Sequence, residues 1–204
     1  MTKSVAVIGD VHGDAVRLRQ ALGHPSLRER TIVLVGDYVN RGPASREVLE
    51  LLVSAEAVLG SRLVALRGNH DEAFLRALEG ERIAEFLVMG GDRTVISYLK
   101  EPFGDVMEEL AAVVPIDHKA FLRTLRDSWT DGEILVMHSL DQLEEAGVQL
   151  SSASALTCVV GHHIQHDGQA STWENVHLID TGCGSRPEGP LSVYLYPERE
   201  VLTF

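Results

Sequence analysis

The stretch Gly9-Asp10-Val11-His12-Gly13-Asp14 follows an apolar run, Val5–Ile8, that reads as a buried strand. The arrangement recurs twice. Gly36-Asp37-Tyr38-Val39-Asn40-Arg41-Gly42 follows the run 31–35, and Gly68-Asn69-His70-Asp71-Glu72 follows 63–66. A helical pattern comes after each. Such alternation predicts parallel strands joined by crossovers. Asp, His and Asn side chains then collect at the carboxyl ends of neighbouring strands, the edge where open α/β sheets bind ligands. A mixed oxygen and nitrogen donor set suits divalent Mn, Fe or Zn.

Helices are expected at 14–22, at 44–59 and over 72–78. Val16, Leu18 and Leu22 are the apolar positions of the first. Ser45 would cap the second, with Val48, Leu49, Leu52 and Val53 as its inner face. Residues 80–127 have a largely helical pattern and predict a helical insert beside the site, broken by a turn at Met89-Gly90-Gly91. The last third is rich in β pattern. Residues 128–136 read as a hairpin around Asp131-Gly132. Ile134–Met137 runs into His138, Thr157–Val160 into Gly161-His162-His163, and 176–179 into Asp180-Thr181-Gly182. Segments 191–196 and 201–204 predict a closing hairpin, and Ser151-Ser152-Ala153-Ser154 a helix start. These strands predict a second sheet packed on the first, all within one domain spanning 1–204.

The chain has 204 residues and a net charge of −12, which argues against nucleic acid as a general partner and against a membrane surface. A phosphate substrate would have to be attracted locally, as a metal pair can do. Two cysteines, Cys158 and Cys183, make no disulfide framework and read as reduced thiols. Met1-Thr2-Lys3-Ser4 leads straight into a strand, without a signal-peptide pattern, and no apolar stretch is long enough to span a bilayer. A soluble, cytoplasmic protein is expected. Its oligomeric state is left open.

Five strand ends carry metal-binding residue types: Asp10 with His12, Asp37, Asn69 with His70, His138, and His162. In an extended segment Asp10 and His12 share a side and can hold one cation together. Two metals about 3.5–4 Å apart need a bridging group. Asp37 is the natural bridge, and the neutral ligands Asn69, His138 and His162 complete a second site. His162 is favoured over His163 as the ligand, with His163 at the rim, facing substrate. His24, His118 and His177 read as surface or boundary residues, and Asp14 and Asp180 as caps or loop braces.

The clusters resemble the calcineurin-like metallophosphoesterase superfamily, in its phosphoprotein-phosphatase branch. Its segments GDxHG, GDxVDRG, GNHE, a lone strand-end His and a later GH match Gly9–13, Gly36–42, Gly68-Asn69-His70-Asp71-Glu72, His138 and Gly161-His162 in order and spacing. Residues 88–98 and Ile179-Asp180-Thr181-Gly182-Cys183 also look like stretches of small bacterial members, the lambda-type protein phosphatases and symmetrical diadenosine tetraphosphatases. The resemblance implies two mixed β-sheets packed face to face, flanked by helices, around two divalent metals, with Mn first and Fe or Zn as alternatives. It implies Asp10, His12 and Asp37 on the first metal, and Asp37, Asn69, His138 and His162 on the second. Arg41 would grip phosphate, His70 would protonate the leaving group, and a bridging hydroxide would attack phosphorus in line.

Two departures bear on specificity. Asn40 stands where the branch has an Asp that pairs with the catalytic histidine, so His70 is expected to be a weaker general acid. His138-Ser139-Leu140 replaces the usual His-Gly-Gly or His-Ala-Gly, and 139–169 holds no Arg or Lys to make a second phosphate clamp. Arg93 and Arg186 are candidates to substitute for it. The reading is a metal-dependent phosphomonoesterase acting on a phosphorylated small molecule or phosphoprotein. Its rivals are a dinucleoside polyphosphate hydrolase and a noncatalytic scaffold of the same fold.

Overall fold

The computed structural model describes residues 4–101 and 103–204, so Met1, Thr2 and Lys3 of the N-terminal reading lie outside the described residues. Strands β1 (Val5–Ile8), β2 (Thr31–Leu34) and β3 (Leu63–Ala65) are parallel neighbours. Helices α1 (Ala15–Gly23) and α2 (Ser45–Leu59) make the crossovers between them. All four residues of β1 are buried, because both faces of this sheet are covered. Ala6, Ile8, Ile32 and Leu34 pack in the helical layer, while Val5, Val7, Val33 and Val35 face the other sheet. The two-residue pleat accounts for that division.

The other sheet has the order β4-β5-β6-β8-β7, with β4 (Ser128–Thr130), β5 (Ile134–Met137), β6 (Thr157–Val160), β7 (Ser171–Trp173) and β8 (Val176–Leu178). Strands β5, β6 and β8 are parallel, and the two edges are antiparallel. Ile134, Val136, Val159 and Ile179 meet the valines of β1 and β2 between the sheets. Two mixed sheets thus lie face to face with helices outside.

The closing hairpin forms, as β9 (Ser192–Tyr196) and β10 (Glu200–Thr203), but it extends the first sheet. Strand β9 pairs antiparallel with β1, Val5 opposite Tyr196 and Ile8 opposite Val193, giving the order β10-β9-β1-β2-β3. Tyr194 and Tyr196 thereby join the core between the sheets.

Local expectations are corrected in four places. Ser45 does not cap α2. Ala44 holds the cap position, and the Ser45 hydroxyl turns inward to Asn40 N–H and Thr94. Helix α3 (Asn69–Leu78) starts at Asn69, not at Glu72, because the Asp71 carboxylate accepts from the Gly68 N–H and closes the first turn. Ser151-Ser152-Ala153-Ser154 forms a turn. The Ser151 hydroxyl accepts from Ala153 N–H, a local bond that competes with helix, and β6 begins soon after. His118 is buried, not superficial, with the Tyr98 hydroxyl 2.7 Å from its Nδ1.

The region 80–127 is helical: α4 (Ile83–Phe86), α5 (Asp92–Tyr98), α6 (Val106–Val113) and α7 (Ile116–Thr124). Phe86, Tyr98, Leu110 and Phe121 sink into the same core as α2. Gly90 breaks the helical path at φ +84°, and its carbonyl accepts from Arg41 N–H. That bond ties the helices to the loop after β2. A further helix, α8 (Leu140–Glu145), follows His138 and is capped by Ser139.

Candidate metal centre

All the singled-out residues lie just beyond the carboxyl ends of strands: Asp10 and His12 after β1, Asp37, Asn40 and Arg41 after β2, Asn69 and His70 after β3, His138 after β5, and His162 after β6. The segment carrying Asp10 and His12 is not extended. His12 has φ +42°, and Asp37, Asn40, Arg41 and His162 also lie at positive φ, between +56° and +71°. Such non-glycine backbone is uncommon and is held here by surrounding bonds. Val11 and His12 N–H both donate to the Asp37 carbonyl, and Gly42 N–H donates to the His12 carbonyl. Asp71, whose spacing offered no sign of this, accepts from the N–H groups of Asp37, Tyr38 and Gly68.

Asp37 is the common member of two clusters, one with His12 and His70, the other with His138 and His162. Its Oδ2 is 3.6 Å from His12 Nε2, 3.6 Å from His138 Nε2 and 4.0 Å from His70 Nε2. Its Oδ1 accepts from His70 N–H. Asp10 stands beside them, both oxygens accepting from His162 N–H. Asn69 Oδ1 is 3.0 Å from both His138 Nε2 and His162 Nδ1, and those nitrogens are 3.2 Å apart.

These atoms fit a cation. The Nδ1 of His138 meets the Val35 carbonyl and that of His12 the Val39 carbonyl, each at 3.0 Å. A carbonyl only accepts, so Nδ1 carries the proton in both rings and Nε2 presents a lone pair. Lone pairs of His138 and Asn69 therefore confront each other at 3.0 Å. A positive ion between them turns that repulsion into binding. Burial points the same way. It holds His12 well below the usual imidazole range and brings His138 and His162 to about 4, so the rings are neutral near pH 7, the form able to bind a metal. Burial also lifts Asp10 and Asp37, helped by repulsion from the neighbouring Asp180. Asp180 is a brace through Oδ1, which accepts from Gly182 N–H, while its buried Oδ2 has no partner among the described residues.

Arg41 enters this group from the side. Its Nη1 is 2.9 Å from His12 Nε2 and 2.8 Å from Ser185 Oγ, and its Nη2 is 3.0 Å from His70 Nε2. Asn40 Nδ2 is 3.0 Å from His70 Nδ1, and Asn40 Oδ1 accepts from the Thr94 hydroxyl. His163 is edge-on to His162, and its Nε2 is buried without a partner among the described residues. Arg186 is spent elsewhere: its guanidinium donates to the carbonyls of His166, Gln165 and Thr181. Arg93 is exposed on α5. Asn69, His138 and His162 open onto a groove also lined by Arg67, Glu72 and Asp141.

The sequence profile of the calcineurin-like phosphoesterases matches residues 3–183. The chain belongs to this family. Serine/threonine-protein phosphatase 5 of Arabidopsis thaliana is 27% identical over 157 residues, covering 76% of this calcineurin-like phosphoesterase and 25% of the plant protein. A symmetrical bis(5'-nucleosyl)-tetraphosphatase of Bordetella parapertussis is 39% identical over 85 residues, 40% of this chain and 29% of the other. The chain thus spans roughly a quarter of the length of these curated relatives. A provisionally assigned diadenosine tetraphosphatase of known structure shares the fold at a TM-score of 0.67 and 20% identity, over all of this chain and 94% of that one. No helix among the described residues of this calcineurin-like phosphoesterase is long and apolar enough to cross a membrane.

Proposed function

We propose that the chain is a metal-dependent phosphoesterase that hydrolyses phosphomonoesters of a small molecule or a phosphoprotein. The observation that carries this reading is the convergence of His12, His138 and His70 on Asp37 Oδ2, with Asn69 and His162 adjoining. Asp10, His12 and Asp37 would hold one divalent ion, and Asp37, Asn69, His138 and His162 a second. Mn is the first choice, with Fe or Zn as alternatives. When bound, such a pair supplies an activated water, orients the phosphate and neutralises its charge.

The chain's own groups do the rest. The Arg41 guanidinium offers two parallel N–H donors that match phosphate oxygens. In this structure Nη1 donates to His12 Nε2, and Nη2 lies 3.0 Å from His70 Nε2. A phosphate entering between them takes over those donors. His70 Nε2 stands next to Arg41 and is the atom from which a leaving oxygen would collect a proton. Burial lowers His70 to about 3, with the Arg41 charge as the next cause. An Asn opposite Nδ1 adds no charge to counter that. The neutral ring is a weaker acid than an imidazolium, which favours substrates with good leaving groups. His163, edge-on to His162, would be a further group for substrate.

The test is turnover after metal stripping and addition of Mn(II), on nitrophenyl phosphate, bis-nitrophenyl phosphate and diadenosine tetraphosphate, with Asp37→Asn as control. Mn-dependent monoester cleavage lost in Asp37→Asn supports the proposal. Cleavage mainly of diadenosine tetraphosphate assigns the chain to the activity named for its Bordetella relative. Two bound metals with no turnover on any of the three leave the scaffold reading in its place.

A further inference from the structure

The loop after β8 bends back over the first histidine. Gly184, at φ +64°, lies against the His12 carbonyl so closely that a Cβ there would collide with it. The Cys183 thiol donates to the Val11 carbonyl at 3.4 Å, and the Arg186 guanidinium clasps the carbonyls of Thr181, Gln165 and His166. These contacts deliver Ser185 Oγ to 2.8 Å from Arg41 Nη1, across 144 residues of sequence.

A guanidinium has donors only, so the Ser185 oxygen accepts. Its own proton has no partner among the described residues. A hydroxyl that accepts from a cation is polarised and donates more strongly onward. It sits where Arg41 meets His12 and His70, while Arg186 is engaged with backbone carbonyls and residues 139–169 contain no Arg or Lys.

We propose that Ser185 is a phosphate-binding residue, donating its hydroxyl proton to an oxygen of the same phosphate group that Arg41 holds. The inference rests on the phosphoesterase reading above. Ser185 supplies from a late loop a second contact that would otherwise need another basic residue.

The experiment compares wild type, Ser185→Ala and Ser185→Thr in the Mn-loaded protein. It reads KM for nitrophenyl phosphate, the inhibition constant of inorganic phosphate, and phosphate binding by calorimetry. Loss of one charge-assisted hydrogen bond predicts affinity for phosphate weaker by about tenfold or more in Ser185→Ala. Ser185→Thr, which keeps the hydroxyl, restores it. The same pair in an Arg41→Ala background separates contact from support. A loss that persists there supports direct binding, and one that vanishes shows that Ser185 only holds Arg41, overturning the proposal. Unchanged phosphate affinity in Ser185→Ala also overturns it, while leaving the phosphoesterase reading intact if Asp37→Asn is still inactive. If wild type turns over no substrate, that reading fails first, and calorimetric phosphate binding still decides the role of Ser185.

Discussion

Asn40 Nδ2 lies 3.0 Å from His70 Nδ1, and the same amide accepts from Thr94 on α5. A carboxylate at this position could only accept, and would hold a proton on Nδ1. With its Oδ1 held by Thr94, the amide turns its Nδ2 donor to Nδ1 and brings no charge, so it does not stabilise the imidazolium. Asn40→Asp is therefore expected to raise the His70 pKa and improve proton donation. Cleavage of phenyl phosphate should gain by about tenfold relative to nitrophenyl phosphate, whose leaving group needs little help. An unchanged rate ratio between the two substrates counts against this role for Asn40.

Asp71 accepts three backbone N–H groups that shape the loop after β2 and the first turn of α3. Asp71→Ala leaves those donors buried without acceptors. A destabilisation of about 3 kcal/mol or more is expected, since each orphaned buried donor costs about 1–3 kcal/mol. Urea unfolding measures it. Metal affinity should fall as well, because Asp37 sits on the loop that Asp71 braces. A variant as stable as wild type would mean that water replaces the carboxylate.

Metal and protons compete at Asp37. Burial raises its pKa, so below neutrality the metal-free site holds a proton that an incoming cation must displace. Apparent Mn(II) affinity is expected to weaken as pH falls from about 8 to about 6. Proton release on binding, read by calorimetry in buffers of different ionisation enthalpy, should rise over the same interval. Asp37→Asn should abolish the thermal stabilisation that Mn(II) confers. A pH-independent affinity would contradict the placement of Asp37 in the binding set.

His177, on β8, predicts an acid-sensitive contribution from outside the candidate metal centre. Its ring is bonded by Thr172 and Tyr194, and burial lowers its pKa to about 4, with the Arg199 charge adding to the effect. An unfolded histidine titrates near 6.5, so between about 6.5 and about 4 the unfolded chain binds more protons. Stability is then present above pH 6.5 and is lost as pH falls towards 4. His177→Gln should flatten the dependence of the urea midpoint on pH across this window. An identical slope in the variant would remove His177 from the account.

The sequence by itself determined which residues stand at strand ends. An apolar run followed by Gly-Asp, Gly-Asn-His, Gly-His or a lone His places its polar residues just past a buried strand, by chain adjacency alone. Asp10, His12, Asp37, Asn69, His138 and His162 were legible for that reason, as was the alternation that builds β1, β2 and β3. Only the tertiary structure decided what crosses the chain. The closing hairpin joined the first sheet because β1 offered it an open edge and the tyrosines a place between the sheets. Thr94 reached Asn40 over 54 residues and Ser185 reached Arg41 over 144. No periodicity encodes such pairs. They exist because two packed sheets and their helices close around one edge, and a lone Ser or Thr acquires meaning only from the atom it then faces.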